Sequence, residues 1–549
     1  MKQLIRGGAV LLAGLAVAAL ASAGGPGRAG RPGAADAART VQTARTVQTA
    51  RTVQTARTVQ TARAVQTARA VQLTADRRAA EPDHRRTART VVTFAWGGGL
   101  ASQMTAAPIL HRYGMHATYF VPSGLVCMQS QAQCRATSPY LTIGDVRALA
   151  AGGDEIGGLT VLHQQLTGLS AAETAREICD DRSNLLRWGF RPTDFAYPFA
   201  AISGQMQAIT RQCGYNSGLG TGQLRGAGLC QTCGWAETIP PQDPYDLRTP
   251  IEVNSVNTTW SVGTYESIVQ GAQEHGGGWV IFTIHGVCAQ NCSLGVTPGI
   301  LSEVASWLRG QAAHGVVVRT IRQVIGGPVR PPVAGPVPRP IPSPGIADSE
   351  LAAKTGSGVP ACFQQAVYGG AAAAFSYEPA GGPHGAAAES VHITRLGSGN
   401  AKLIPTLDLG QCAPEVRAGR AYTAGVWYKS DRPVLLELYY RNAIGAWAYW
   451  ATSGTFPASA TWRQAAWTTP QTPAGATSVS FGLTAKSAAT ITTTRYSLEP
   501  ARSHKMIVLA GGLAVLILAG GLIARGQYRY VKYSRAEQAR AERSPTARA

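Results

Sequence analysis

Between residues 91 and 327, short apolar runs alternate with stretches whose apolar positions recur at helical spacing. Runs at 91–94, 117–121, 155–158, 194–198, 279–284 and 316–320 predict strands, and 171–188 and 300–309 predict helices. Alternation of this length predicts a parallel α/β architecture, closed into a distorted (β/α) barrel. In such barrels chemistry collects where strands end, so the segments after Phe94, Gly158, Pro198 and Ile284 are the places to look. Residues 328–349 open with a proline-dense run and predict an extended linker. Over 350–500 the period changes to two, with Thr, Ser and aromatic residues between Gly/Pro/Ser turns, which predicts an all-β sandwich or jelly roll.

Both ends of the chain read differently. Residues 1–24 carry a basic start, an apolar run and a small-residue stop, the three parts of a secretory signal. Within 25–90 the hexad Arg-Thr-Val-Gln-Thr-Ala repeats with little bulk to bury, which predicts a disordered basic spacer. Residues 506–524 are uninterruptedly apolar or glycine, long enough to span a bilayer as part of a transmembrane helix over 501–527. The tail at 528–549 is basic and is expected on the cytoplasmic side, with the preceding domains outside the cell.

The formal charge of +20 sits mostly in those ends. Residues 1–90 hold fifteen Lys/Arg against four Asp/Glu and 525–549 hold seven against two, which leaves +4 for the rest. Nucleic-acid binding is therefore a poor reading; the expected partners are surface polysaccharide and, through one helix, the membrane. Ten cysteines in an exported chain predict disulfides rather than zinc at Cys230/Cys233 and Cys288/Cys292, with Cys362 and Cys412 pairing in the β-domain.

Several motifs in order carry a resemblance. Thr93-Phe94-Ala95-Trp96-Gly97 stands where the NodB homology (polysaccharide deacetylase, carbohydrate esterase family 4) domain has Thr-Phe-Asp-Asp-Gly. Glu155-Ile-Gly-Gly-Leu159-Thr-Val-Leu-His163 stands where it has Glu-Ile-Gly-x-His-Thr-x-x-His. Phe195-Ala-Tyr-Pro-Phe199 is similar to its third motif and Ile284-His285 to its late histidine. The resemblance implies a divalent metal, usually zinc, on one Asp and two His, a second Asp as base, and a late His as acid. Here the base position is Ala95, and the metal positions are Trp96, Leu159 and His163. His285 keeps the acid position, and the Phe199 backbone could serve the oxyanion.

One imidazole does not hold a catalytic zinc, so the metal expected for the family is not expected to bind here. Substitute ligands would have to come from Asp154, Glu155, Asp180, Asp181 or Asp194. Trp96 either plugs the former metal pocket or offers its face to a sugar ring. His163 and His285 are either site residues or leftover imidazoles. In the β-domain, which resembles jelly-roll carbohydrate-binding modules, alternation puts Trp447 and Tyr449 on one face as candidate sugar contacts, with Trp450 on the other. Three readings stay open. The chain is an impaired deacetylase homologue that binds surface polysaccharide, an active hydrolase of C–N bonds using substitute ligands, or a structural surface protein.

Overall fold

The computed structural model describes residues 90–226, 228–253, 260–290, 294–342 and 345–501, all within the compact unit Asp83–Ala549. The signal segment, the hexad repeat, the apolar stretch at 506–524 and the basic tail lie outside the described residues. Among the described residues no helix is long and apolar enough to cross a membrane.

The first domain is built on strands β1 (Thr90–Trp96), β2 (Thr118–Val121), β3 (Glu155–Gly158), β4 (Asp194–Ala196), β5 (Ser217–Gln223), β6 (Leu247–Thr249), β7 (Gly278–Ile284), β8 (Gly286–Val287), β9 (Gly295–Val296) and β10 (Val316–Val318). Between them run helices α1 (Ala106–Arg112), α2 (Gln131–Thr137), α3 (Ile143–Ala151), α4 (Ala171–Arg187), α5 (Gly204–Gln212), α6 (Val262–Glu274), α7 (Pro298–Gln311) and α8 (Ile321–Ile325). All strands but β8 and β9 form one parallel eight-stranded sheet. β1 is its centre. It pairs β7 along its whole length, from Thr90↔Gly278 to Trp96↔Ile284, and on its other edge β10 at its start and β2 at its end. The order then continues β3-β4-β5-β6, and β6 lies beside β7 without ladder pairing, so the barrel stays open there.

A strand buried on both faces needs apolar residues at consecutive positions, and β1 supplies them. Val92, Phe94 and Trp96 pack outward among Leu110, Tyr265 and Val304 under the helices. Val91 and Ala95 face an inner layer with Phe120, Leu159, Leu219 and Ile281. β5 and β6 escaped the sequence reading because Ser217-Gly-Leu-Gly-Thr-Gly offers almost no apolar pattern. Glycine there and at Gly158 answers close packing. A Cβ on Gly158 would strike the Tyr215 hydroxyl and Asp181.

Helix α4 begins at Ser170, whose side chain accepts from Glu173 N, and exposes few of its residues. Its polar groups hold the chain that follows the barrel. Arg182 donates to the carbonyls of Arg330 (2.7 Å) and Pro331 (3.0 Å), Ser183 to Val333, and Arg176 to Pro336, while Asp180 accepts from Gly335 N at 2.8 Å. The proline-rich segment is extended, but it is strapped along α4.

The second domain contains β11 (Phe363–Val367), β12 (Ala372–Glu378), β13 (Ala388–Arg395), β14 (Ala401–Pro405), β15 (Tyr422–Ser430), β16 (Val434–Arg441), β17 (Trp447–Thr452), β18 (Ser459–Thr468), β19 (Ser478–Ala485) and β20 (Ala489–Pro500). These form antiparallel sheets in the orders β12-β13-β20-β15-β18, β17-β16-β19 and β11-β14. Their inward residues, among them Val391, Val426, Leu436, Leu438, Phe481 and Leu483, make one core. Disulfides join Cys127–Cys134, Cys179–Cys213, Cys230–Cys233 and, as expected, Cys362–Cys412. Cys288 is also disulfide-bonded, and Cys292 lies outside the described residues.

The domains touch through α4 and the loop after β3. Asn184 donates to Ile444 O at 2.8 Å, Gln164 to Leu407 O at 3.0 Å, and Glu173 accepts from Leu409 N. The β16–β17 turn presents Gly445 at φ +89°, where a Cβ would lie 2.7 Å from Val161 Cγ1 and 2.9 Å from Leu409 Cδ2. Gly445→Val should therefore part the domains without unfolding either. The check is limited proteolysis of the full chain, with the expected outcome that cleavage within 328–342 becomes at least several-fold faster than in the wild type. Unchanged cleavage would show that the contact is not what holds the linker.

Candidate functional site

Four strand ends meet at one end of the barrel. β1 delivers Ala95, Trp96 and Gly97; β3 delivers Leu159 to His163; β4 delivers Phe199; β7 delivers His285. The β3 loop is held by two carboxylates one helical turn apart on α4. Asp181 accepts from Leu159 N (3.0 Å) and Ser123 N (2.8 Å), and Glu177 accepts from the amides of Val161 and Leu162, both at 2.9 Å. Burial pushes the Glu177 carboxyl up to about 8 and Asp181 well above its ordinary range. Thr160 and His163 both sit at positive φ, 65° and 56°, and Thr160 Oγ1 accepts from His163 N at 2.9 Å. The imidazole of His163 is thereby aimed at the ring of Phe199, 5.0 Å away.

His285 is fixed from the opposite side. Buried Gln103 donates to the carbonyls of Gly97 (2.6 Å) and His285 (2.7 Å), tying the ends of β1 and β7 together. Gly97 is needed because a Cβ there would lie 3.1 Å from His285 Nε2. That nitrogen is 3.9 Å from Glu252 Oε1. Burial first, and then the neighbouring His163, push His285 down to about 4; burial alone lowers His163 and raises Glu252. Both imidazoles are therefore neutral at pH 7, and Glu252 has a raised pKa. Glu252 had no sequence signal, since it lies in an irregular segment after β6 and in none of the motifs.

The residues present do not fit a zinc ion at these strand ends. Ala95 and Leu159 are buried together in the inner apolar layer and bring no donor atom. Trp96 is on the other face of β1, 0 % exposed, stacked on Tyr119 at 6.1 Å, with its indole N–H unpartnered. It therefore neither fills the former metal pocket nor offers a face to a sugar, because consecutive strand residues point to opposite sides. Among the described residues His163, His285 and Glu252 do not converge as a three-ligand group.

The carboxylates that could have substituted are committed elsewhere. Glu155 accepts from Thr118 Oγ1 (2.9 Å) and Arg322 N (2.8 Å). Asp194 accepts from Thr193 and Ser217 hydroxyls, both at 2.6 Å, and Asp180 and Asp181 hold backbone amides. Asp154 sits at the opposite end of β3, bonded to Ala117 N and His111.

In the β-domain Trp450 packs on the core and Tyr449 is 58 % exposed on the other face. Trp447 does not share an open platform with it. Its indole donates to Asp408 O at 3.2 Å and its ring lies against Arg441. Tyr449 instead stands edge-on to Tyr439 (6.2 Å), which neighbours Tyr368 (6.0 Å). Buried Lys402 lies beneath both of those rings and pairs with Glu437 at 2.7 Å, and Asn400 donates to the same carboxylate. The cluster thus gathers three tyrosine rings, an amide and an ion pair on one patch of the β-domain.

Residues 85–218 match the family model described as polysaccharide deacetylase. Solved structures similar to part of the chain include a family 4 carbohydrate esterase from Streptomyces lividans in complex with acetate (18 % identity, 43 % of this chain and 92 % of that chain, TM-score 0.27). A putative polysaccharide deacetylase from Mycobacterium smegmatis is 13 % identical over 43 % of this chain and 89 % of that one, with TM-score 0.29. The corresponding figures for a Bacillus subtilis peptidoglycan deacetylase are 17 %, 43 %, 90 % and 0.24. No curated protein matches the sequence.

The lowered pKa of His285 has a measurable consequence. Its folded value of about 4 lies below the ordinary value of about 6.5, so between these the unfolded chain takes up a proton that the folded site refuses. The stabilisation is complete above pH ~6.5 and is lost as pH falls through ~4. Melting curves at pH 7 and pH 4.5 should therefore show a larger drop in Tm for the wild type than for His285→Gln. Equal drops would mean that the imidazole titrates normally.

Proposed function

We propose, from the match of residues 85–218 to the polysaccharide deacetylase family model, that this chain binds cell-surface polysaccharide and lacks the family's metal-dependent hydrolysis. The observation that carries the proposal is the buried apolar inner layer at the strand ends. Ala95 and Leu159 replace a base and a ligand with buried hydrocarbon, and Trp96 points away from them. Without the base alone, general acid–base help of roughly 100- to 10,000-fold is missing. The family's zinc, where present, polarises the acetyl carbonyl and acidifies water. Here Phe199, 64 % exposed beside His163, presents an aromatic face to a sugar ring, and the neutral imidazoles offer uncharged hydrogen-bonding groups. Tyr449 and Tyr439 supply a second contact surface on the β-domain. Export through residues 1–24 and anchoring through the apolar stretch 506–524, with the binding domains outside, belong to the same proposal and rest on the sequence.

The hydrolase alternative has one observation in its favour: Glu252 stands beside His285 at the strand ends. Two measurements on the full chain separate the readings. Incubated with acetylated chitooligosaccharide or peptidoglycan, the wild type should release no acetate above buffer, yet be retained on insoluble wall glycan. Tyr449→Ala should weaken that retention about three- to ten-fold, the share expected of one aromatic contact. Acetate release that disappears in Glu252→Gln would establish the hydrolase instead, and absence of both retention and release would leave a structural surface protein.

A further inference from the structure

The donor set missing from the strand ends is present at the other end of the barrel. His111 lies in the last turn of α1, His116 just before β2, and Asp154 between α3 and β3. All three precede strand starts, whereas His163 and His285 follow strand ends. β2 and β3 have four residues each, so the two places are separated by roughly 13 Å of sheet.

We propose that His111, His116 and Asp154 form a binding site for a divalent transition ion of the zinc type, distinct from the deacetylase site and with its remaining coordination open to water. The donors His111 Nε2 and Asp154 Oδ2 are 2.9 Å apart, and His116 Nδ1 is 3.9 Å from Asp154 Oδ1. One donor atom from each residue lies within 4.8 Å of the others. In a tetrahedron with bonds of about 2.0–2.1 Å, ligand atoms are about 3.3 Å apart, between the two separations seen. Closing on an ion requires the widest separation, at most 4.8 Å, to shrink by up to about 1.5 Å, within reach of rotation of the two part-exposed imidazoles. Two imidazoles with one carboxylate suit zinc, cobalt or nickel better than magnesium or calcium.

Three further observations fit an ion and are not required by an ordinary hydrogen bond. His116 Nδ1 has no hydrogen-bond partner. Asp154 is oriented by Ala117 N at 2.9 Å, the kind of outer support that metal carboxylates use. Gly152 and Gly153 leave space for the rings, since a Cβ at 152 would lie 2.8 Å from His111 Cε1 and one at 153 would lie 2.9 Å from His116 Cε1. The Asp154 side chain is fully buried and the imidazoles are 30 % and 39 % exposed, so the site has a shielded charge at its floor and an entry path from solvent. A bound cation would neutralise that carboxylate and tie the α1–β2 connection to the α3–β3 connection.

The test uses the full chain stripped with chelator and dialysed against zinc, with cobalt as a spectroscopic probe. One equivalent of zinc is expected for the wild type, for His163→Ala and for His285→Ala, with the visible absorption of a low-symmetry cobalt site. His116→Ala keeps the His111–Asp154 bond, so it should keep its circular dichroism spectrum while its zinc affinity falls at least ten-fold. Asp154→Asn should abolish binding. The site is refuted if the wild type binds no zinc, if His116→Ala binds as tightly as the wild type, or if binding is lost in His163→Ala. The variants tell the failures apart: no zinc in the wild type, or tight zinc in His116→Ala, would leave the glycan-binding reading untouched, whereas loss of zinc in His163→Ala would place the ion at the strand ends and count against that reading as well.

Discussion

Much of this molecule depends on carboxylates of α4 that accept hydrogen bonds from other segments' backbone amides. Asp181 and Glu177 fix the loop after β3, including its two left-handed residues, and burial keeps both groups in a nearly water-free setting. Such groups are tolerated only because amides converge on them. The same helix uses Glu173 and Asp180 to catch amides of the β-domain and the linker. One helix therefore sets the position of His163 and the attachment of the second domain at once.

At the strand ends, the loops and glycines hold two imidazoles against buried hydrocarbon. Gln103 ties β1 to β7, Gly97 makes room for His285, and Phe199 has left-handed backbone. What remains is a shape with neutral imidazoles rather than a charged reaction centre. The tyrosine cluster over Lys402 and Glu437 is built differently, with polar groups satisfied by one another and aromatic edges left to solvent.

The parallel strands flanking the motifs were legible because burial on both faces leaves unbroken apolar runs, as at β1 and β7. β5 was not, since its glycines serve close contacts that no hydrophobic pattern reports. The helix at α4 was legible from its period and differs by one residue at its end. Reading Trp96 as part of the site followed the motif's register; the strand's alternation, which turns 95 and 96 to opposite faces, was the better guide. Trp447 was placed on the correct strand face, but contact with the Asp408 segment claims its indole, which only the tertiary arrangement reveals. Glu252 and the His111–His116–Asp154 group are assembled across sequence gaps with no local pattern to announce them.

The packing of Trp96 locks the identity of that position to the layer beneath the helices. Placing a carboxylate at that position would empty a volume filled by an indole stacked on Tyr119, and large-to-small changes of that kind cost about 3–5 kcal/mol. The new charge would also be stranded in hydrocarbon with no cation in reach. A carboxylate at this position therefore requires the helix-facing layer to be altered with it. The indole therefore constrains which residues position 96 can hold more tightly than its place beside the strand ends would suggest.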